Sequence, residues 1–457
     1  MESQTKKSKY EIDMCNGTIM DKLISFSLPL MLSGILQLMF NAVDIIVVGR
    51  FSGSQSLAAV GSTTALINMF TNLFIGISLG ANVLAARFYA AKREKEMSET
   101  VHTAITLALI SGIVMAFVGL IFSRFALELM DTPDDVIGLS TLYMRIYFLG
   151  MPFFMLYNYG AAILRAVGDT KRPLFFLVAA GVINAGLNVL LVIVFDMGVA
   201  GVAIGTIVSQ MISSILVLRC LCRSEGSYKL SFSKLRIRGI YMKQIFQVGI
   251  PAGIQSTVIN FSNVLLQSSV NSFGSTAMAG YTAANNIFGF LYVTVNSVTQ
   301  TCMSFTSQNY GAGKSKRMDK VLIDCIILSV VITSILGVSA YGFGPELLKI
   351  YTEDAKVIQC GMEILLYTTV TYFLCGLMDL FPGALRGMGH SAVPMILSVI
   401  GTVGTRIVWI FWIFPAHRSL DILFISYPAS WIITIIMQVI CYYFVRKKVH
   451  RNMQRQV

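Results

Sequence analysis

Long apolar runs separated by short polar segments make up nearly all of this 457-residue chain. Each run is close to the ~20 residues that a bilayer-crossing helix requires. A hydropathy window predicts twelve membrane spans. They cover about residues 22–49, 56–83, 101–123, 136–162, 173–196, 198–219, 243–271, 278–305, 320–343, 357–381, 394–415 and 420–445. The pattern therefore predicts an all-α polytopic membrane protein with twelve transmembrane helices.

The two halves of the chain resemble each other in sequence. Leu164-Arg-Ala-Val-Gly168 is matched by Leu385-Arg-Gly-Met-Gly389, and Pro173 is matched by Pro394. The segment 57–173 aligns with the segment 278–394 without a gap. Two halves of six spans each begin on the same side of the membrane, so they form a parallel repeat of the kind found in secondary transporters.

This repeat predicts five segments along the chain. They are an N-terminal tail (1–20), a six-helix lobe (21–219), a basic linker (220–242), a second six-helix lobe (243–445) and a C-terminal tail (446–457). Two such lobes can rock about a central site. The organisation therefore favours a transporter over a receptor or a membrane-embedded enzyme.

Composition and charge support the same class. The chain is 55% hydrophobic and 13% charged, whereas soluble domains carry roughly 25% charged residues. The net charge of +12 requires no nucleic acid partner, because 28 of the 35 Lys and Arg residues lie in the two tails and the connections on the same side as them. By the positive-inside rule, both termini are expected in the cytoplasm of a plasma-membrane protein surrounded by lipid.

Two kinds of site are not supported by the motifs. Gly311-Ala-Gly-Lys-Ser315 resembles the end of a phosphate-binding loop, but Gln308 stands where that loop requires its first glycine. Transport should therefore use an ion gradient and no nucleotide cofactor. The eight cysteines fall singly along apolar segments, except Cys220 and Cys222, so neither a metal centre nor a disulfide framework is expected.

Asp44 is a carboxylate inside the first predicted span. Ionisable residues at membrane depth are costly and are usually functional. An unpaired carboxylate there is expensive to keep charged, so it could take up a proton near neutral pH. The alternative is an interfacial Asp that caps the end of the span.

Several polar side chains on other helices could accompany Asp44. Asn184 and Asn188 are one turn apart on helix five, helix six carries Thr206 and Ser209, and helix four carries Asn158. Each Asn by itself is typical of an interhelix hydrogen bond. Together with Asp44, these amide and hydroxyl oxygens could bind a proton or a small hard cation such as Na⁺.

The second half carries different chemistry. Asp379 stands where the first half has Asn158, and Arg406 stands where it has Ala185. The position aligned with Asp44 is apolar. Asp379 and Arg406 could form a buried ion pair, which would be either structural or a gate.

Three motifs resemble those of the multidrug and toxic compound extrusion (MATE) transporters. The first is Asp44 with Val48-Gly-Arg50 and Leu57-Ala-Ala59. The others are Leu164-Arg-Ala-Val-Gly-Asp-Thr170 with Pro173, and Ala384-Leu-Arg-Gly-Met-Gly389 with Pro394. The resemblance covers nearly the whole chain and agrees with twelve spans.

This resemblance implies two bundles in a V shape that export organic cations by H⁺- or Na⁺-coupled antiport with alternating access. It also implies that Asp44 is the coupling carboxylate, where Na⁺ could bind, with Asn184, Asn188, Thr206 and Asn158 as polar companions. Some members carry a second acid where this chain has Asn188, a departure that leaves both coupling ions open. We expect a monomer.

Two other functions remain as alternatives at this point. A lipid-linked precursor flippase of the same superfamily would favour a cationic cleft for pyrophosphate and often fourteen spans. A membrane-embedded transferase would require clustered Asp residues for Mg²⁺ or a Ser/His constellation, and the four histidines lie near helix ends or in tails. We therefore expect a transporter and not an enzyme.

Overall fold

The computed structural model describes residues 9–130 and 132–454, and their regular structure is helical without a strand. The α-helices are α1 (Met20–Phe51), α2 (Gly53–Ala90), α3 (Glu94–Leu129), α4 (Asp134–Leu149), α5 (Met151–Ala166), α6 (Lys171–Asn188), α7 (Gly198–Arg223), α8 (Gly239–Asn271), α9 (Ser275–Gly311), α10 (Ser315–Gly342), α11 (Gly344–Lys349), α12 (Ala355–Thr369), α13 (Tyr372–Gly387), α14 (Ala392–Ser398), α15 (Thr405–Val408) and α16 (Leu420–Gln454).

The helices account for the predicted spans. In the described part of the chain, eight helical segments are long and apolar enough to cross a bilayer, and the pairs α4–α5 and α12–α13 supply two further candidates. Helices α8 and α9 have 33 and 37 residues but contain more polar side chains. The all-α polytopic class is confirmed, and the arrangement is consistent with twelve spans.

Two of the predicted spans are bent. Helices α4 and α5 meet at 47°, and α12 and α13 meet at 44°. Pro152 follows the first break, and proline removes a backbone donor while clashing with the preceding turn. In the alignment of the two halves, α12 and α13 begin at the positions that match the first residues of α4 and α5. The bend is therefore part of the repeat.

Wider helical turns interrupt the span that begins with α6 and the matching span of the second half. Helix α6 continues into a π-helical segment, Val189–Val194. In the second half, π-helical segments Val399–Gly404 and Trp409–Ile413 flank the short helix α15. Such π turns are frequent at functional sites, because they shift the side chains that follow them around the helix axis.

The chain divides into two compact units. Unit 1 contains residues up to Asp13 together with Leu32–Gly253, and unit 2 contains Met14–Met31 together with Ile254–Val457. The core of unit 1 is formed by α2, α3, α4, α5 and α7, and Phe148 of α4 and Tyr159 of α5 are fully buried in it. The core of unit 2 includes Tyr281 of α9 stacked on Phe424 of α16.

Helices α5 and α13 are each followed by a glycine with a positive φ angle. Gly168 and Gly389 follow these helices with φ of 100° and 87°, a backbone region that glycine adopts without strain. After Gly168, the Asp169 carboxylate accepts hydrogen bonds from the backbone N–H groups of Lys171 and Arg172 and pairs with the Arg172 side chain. These contacts cap the start of α6. They explain the Gly168-Asp169 part of the motif that runs from Leu164 to Thr170.

The segment before α1 is docked on unit 1 through Glu11. Its carboxylate accepts hydrogen bonds from Tyr89 at 2.9 Å and from Tyr228 at 2.6 Å. Burial and the Glu11 hydrogen bond raise the pKa of Tyr228 to about 12, so its hydroxyl remains a donor. The adjacent Ile12 N–H donates to the Gly168 carbonyl at 3.1 Å.

The next residues of this segment dock on unit 2. Arg317 of α10 donates to the backbone carbonyls of Met14, Asn16 and Gly17. Asn309 of α9 also donates to the Met14 carbonyl at 3.1 Å. The described part of the N-terminal tail is therefore held by specific hydrogen bonds.

Candidate functional site

Three helices of unit 1 bring the predicted polar residues together. Helix α1 supplies Asp44, α6 supplies Asn184 and Asn188, and α7 supplies Thr206. Asp44 is 8% exposed even though it is an acid. Burial of a carboxylate is costly unless hydrogen bonds or a cation compensate for lost water. The surroundings of Asp44 therefore determine what it can do.

The four side chains form a closed ring of hydrogen bonds. Asn188 Nδ2 donates to Asp44 Oδ1 at 2.5 Å and to Asn184 Oδ1 at 3.3 Å. Asn184 Nδ2 donates to Thr206 Oγ1 at 3.5 Å. Thr206 Oγ1 lies 3.4 Å from Asp44 Oδ2 and 3.0 Å from the Val202 carbonyl, and its single proton can be donated to either oxygen. Sequence reasoning selected these residues, and the structure places all four in one site.

One buried oxygen of the ring has no hydrogen-bond partner among the described residues. It is Asn188 Oδ1, on a side chain that is fully buried. This oxygen faces Gly205 of α7, where a Cβ atom would come within 2.5 Å of it. The absence of a side chain at Gly205 thus leaves space around an acceptor that a proton donor or a cation could use.

No basic side chain balances Asp44 in the part of the chain that the structure describes. Among the described side chains, its oxygens form hydrogen-bonding contacts with the amide of Asn188 and the hydroxyl of Thr206. Nor do the described residues contain a group of three or more His, Cys, Asp and Glu that could hold a metal ion. A cation bound here would be held by one carboxylate and neutral oxygens.

Two tyrosines of α4 also lie near Asp44, and the sequence reasoning missed them. Tyr143 and Tyr147 are close enough to interact electrostatically with the Asp44 carboxylate. Their rings are 6.1 Å apart, as expected for residues one turn apart on a helix. That spacing was available in the sequence, but it does not reveal which face of α4 points towards α1.

The other predicted companion lies outside this ring. Asn158 of α5 is half-buried and donates to the backbone carbonyl of Phe154 at 2.8 Å. Its hydrogen bond stabilises its own helix. Ser209 similarly donates to the Thr206 carbonyl, one turn earlier on α7.

In unit 2, as far as the structure describes it, the ion pair that the sequence allows between Asp379 and Arg406 is not formed. Arg406 bonds to neutral side chains of α8 and α16. Asp379 interacts instead with Arg386, two turns later on α13. The two residues are on separate helices, and sequence spacing does not fix the rotation of one helix relative to another.

Comparison with known proteins identifies the family. The MatE family model matches residues 29–190 and again residues 251–412. The chain belongs to the MATE family. This family consists of membrane transporters, so the protein is a multi-pass membrane transporter. The two matches also confirm that the halves of the chain are repeats of one unit.

Curated relatives and solved structures agree with this assignment. The chain is 30% identical over 434 residues to the probable multidrug resistance protein YoeA of Bacillus subtilis, covering 93% of both chains. It is 26% identical to the probable multidrug resistance protein YpnP of the same organism, covering 85% of this chain and 87% of the relative. A multidrug resistance MATE family transporter solved in an outward-facing conformation matches with a TM-score of 0.89 at 20% identity, covering 98% of this chain and 100% of that one. This last match shows the fold alone.

Proposed function

We propose that this protein is a secondary active multidrug exporter of organic cations, driven by H⁺- or Na⁺-coupled antiport with alternating access. Family membership and the names of the relatives support drug transport. The observation that supports ion coupling is the buried carboxylate of Asp44 in a ring of neutral hydrogen-bonding groups. A single acid in such a site can change its charge without breaking an ion pair.

We place the protein in the plasma membrane as a monomer with both termini in the cytoplasm. The unequal distribution of Lys and Arg between the two sides of the predicted spans supports the cytoplasmic location of the termini. The long apolar helices fit a multi-pass protein in contact with lipid.

The hydrogen-bond inventory of the ring supports proton coupling. In the charged state, Asp44 accepts a hydrogen bond from Asn188 and can accept one from Thr206. A protonated Asp44 becomes a donor and needs an acceptor, and Asn188 Oδ1 is an acceptor without a partner among the described residues. Rotation of the Asn188 amide would exchange its oxygen and nitrogen. Protonation would thereby rearrange the contacts that join α1 to α6 and α7.

The same residues also fit a sodium ion. Hard cations prefer carboxylate, amide and hydroxyl oxygens, and the ring offers all three types. Asp44 would supply the charge, while Asn184, Asn188 and Thr206 would supply neutral ligands. A bound sodium ion would neutralise Asp44 in place of a proton.

The single negative charge of the ring supports antiport. A coupling ion that neutralises Asp44 removes the attraction that this carboxylate exerts on an organic cation. Binding of one cation therefore weakens binding of the other, which is the linkage that exchange transport needs.

Uptake of the fluorescent cation ethidium by proteoliposomes tests this proposal. A proton gradient and a sodium gradient are imposed separately, each with the membrane potential clamped. We expect one of the two gradients to drive ethidium movement in the direction opposite to the ion. Ion-coupled antiport would be refuted if neither gradient changed the ethidium movement although a thermal unfolding measurement showed that the protein is folded.

The lipid-linked precursor flippase is not favoured by these observations. The relatives are named as multidrug resistance or multidrug export proteins. The polar ring of unit 1 is built around an acid, which would repel a pyrophosphate.

A further inference from the structure

Unit 2 contains a buried cation that the proposed coupling site does not use. Arg406 lies in α15, between two π-helical segments, and is 3% exposed. The surrounding helix, Ala392–Ile413, is long and apolar enough to span a membrane. A charged residue at that depth is costly, and it commonly marks a binding site or an ion path.

The described side chains that contact the Arg406 guanidinium are neutral. Its Nη1 donates to Asn263 Oδ1 at 2.8 Å and to Ser262 Oγ at 3.2 Å, and its Nε donates to Ser430 Oγ at 3.4 Å. The guanidinium also lies over the ring of Tyr427, with Cζ 4.5 Å from the ring centroid. These contacts orient the guanidinium without neutralising its charge.

The positive charge of Arg406 has no carboxylate partner within the described ranges. Asp379 interacts with Arg386, whose Nη2 donates to Gln255 Oε1 at 2.6 Å. A guanidinium has five N–H donors, and the contacts of Arg406 involve only Nε and Nη1. Its Nη2 therefore keeps two donors for an acceptor from outside the chain.

The surroundings of Arg406 occupy the place in unit 2 that the Asp44 ring occupies in unit 1. When the gap-free alignment of the two halves is extended, Tyr427 matches Thr206 and Ser430 matches Ser209. Arg406 itself follows the counterpart of Asn184 by one residue. The corresponding three helices of the repeat thus hold a carboxylate in one unit and a guanidinium in the other.

A polar face on α8 gives this site a route to the surface of unit 2. Asn263 is half-buried, and it contacts Arg406 directly. Together with Ser256, Asn260 and Gln267 it forms a series along α8 with intervals of four, three and four residues, which places all four side chains on one helix face. Ser256 and Asn260 are exposed. Asn263 therefore links Arg406 to the exposed polar face of α8.

We propose that Arg406 is the centre of a binding site for a carboxylate group, with Asn263, Ser262 and Ser430 holding the guanidinium in position. The group would be carried by an organic acid or a zwitterion. That such a molecule is also transported rests on the export function proposed above. The binding site itself rests only on the contacts within unit 2.

Charge and shape favour a carboxylate over a phosphate. One unpaired guanidinium supplies one positive charge, which a monovalent carboxylate neutralises, whereas a phosphate dianion would leave a buried negative charge. The two N–H groups of Arg406 Nη2 can donate to the oxygens of a carboxylate. Tyr427 provides an aromatic surface beside the guanidinium, and its hydroxyl is fixed by Tyr281 at 3.0 Å.

Intrinsic tryptophan fluorescence can report occupancy of this site. The chain has three tryptophans. Trp409 and Trp412 follow Arg406 on the same span, and Trp431 packs against Tyr427 with ring centroids 5.8 Å apart. The purified full-length protein in detergent is titrated with phenylacetate, with phenyl phosphate, and with phenethylammonium, which has a similar body and the opposite charge. We expect saturable fluorescence changes with phenylacetate and weaker or no saturation with the other two.

Variants separate a binding role from a structural one. Arg406→Gln should raise the Kd for phenylacetate at least about tenfold, because it removes a charged hydrogen-bonding partner. Asn263→Asp places a carboxylate beside the guanidinium and should abolish binding while preserving or raising the thermal unfolding temperature. Arg145→Gln, at an exposed position of α4 in unit 1, is the matched control and should bind like the original protein.

The proposal is overturned if the original protein gives no saturable response to phenylacetate, or if Asn263→Asp binds it equally well. Asn263→Asp keeps the test decisive even if Arg406→Gln does not fold. A saturable response to phenyl phosphate alone would replace the carboxylate assignment and so contradict it. Because binding is measured without a gradient, its failure is distinct from a failure of ion-coupled ethidium transport.

Discussion

Asp44 differs from most buried acids, because an amide and a hydroxyl, not a basic side chain, meet its two oxygens. Breaking a buried ion pair leaves an uncompensated charge and is strongly destabilising. A carboxylate held by neutral groups avoids that cost when it is neutralised. The ring in unit 1 therefore suits reversible loading by a proton or a sodium ion.

The sequence was sufficient to select the members of this ring but not to connect them. The spacing of Asn184 and Asn188 placed both on one helix face, and Asp44 stood out as an acid among apolar residues. The order of hydrogen bonds, and the nearness of Tyr143, depend on how α1, α4, α6 and α7 pack. The pair that the sequence allows between Asp379 and Arg406 could not be decided from the sequence for the same reason.

At the residue scale, Gly205→Ala should disrupt the ring without removing any of its members. The new Cβ would lie 2.5 Å from Asn188 Oδ1, so the amide must move. Overpacking of this kind costs about 1–3 kcal/mol of stability. We expect strongly reduced ethidium transport by proteoliposomes and a lower unfolding temperature.

Gly186→Ala is the matched control for that substitution. It lies on α6 between the two ring asparagines, and a Cβ there meets nothing within 4 Å. Its transport should remain close to that of the original protein. Equal activity of both alanine variants would show that the space at Gly205 does not matter.

At the scale of helices, the apolar runs predicted the existence of the spans better than their internal shape. The predicted span 136–162 is a bent pair, and Pro152 was a visible reason for the break. The predicted span 357–381 is bent between Thr369 and Tyr372, where no proline marks the position. Its bend could be anticipated only from the repeat, which relates α12 and α13 to α4 and α5.

The segment before α1 also has a structure that hydropathy does not reveal. Its polar residues suggested a tail, whereas Glu11 is bonded to two tyrosines of unit 1. A run of hydropathy values contains no information about hydrogen-bond partners distant in sequence. Docking of this segment is therefore a result of the structure alone.

Glu11→Ala should destabilise unit 1 by removing the acceptor of both tyrosine hydroxyls. Loss of hydrogen bonds to a charged group typically costs about 1.5–3 kcal/mol. We expect a lower thermal unfolding temperature in detergent, measured by tryptophan fluorescence. Glu11→Gln keeps one carbonyl acceptor and should fall between the original protein and Glu11→Ala. No difference among the three proteins would mean that these hydrogen bonds do not stabilise the fold.

At the scale of the whole molecule, the two units share one plan but differ in their chemistry. The family model matches both halves, and the bent pairs recur at matching positions of the two halves. Unit 1 places Asp44 between its helices, while unit 2 places Arg406 in the corresponding region. The repeat was predictable from sequence because it preserves motifs, whereas the different roles of the units depend on a few substituted side chains.

The distribution of basic residues makes a prediction about topology. A green fluorescent protein fused after Val457 should fluoresce, and alkaline phosphatase at the same position should be inactive, because both termini are expected in the cytoplasm. Active phosphatase together with a dark fluorescent fusion would place the C-terminus outside the cytoplasm.

The central claim is that neutralisation of Asp44 couples an ion gradient to export, and Asp44→Asn tests it most directly. The variant mimics a permanently neutral side chain of the same shape. Asp196→Asn makes the same change at an exposed position in unit 1 and serves as the control. Gradient-driven ethidium transport by proteoliposomes should fall to the level of protein-free vesicles for Asp44→Asn and persist for Asp196→Asn. Undiminished gradient-driven transport by a folded Asp44→Asn protein would contradict the account.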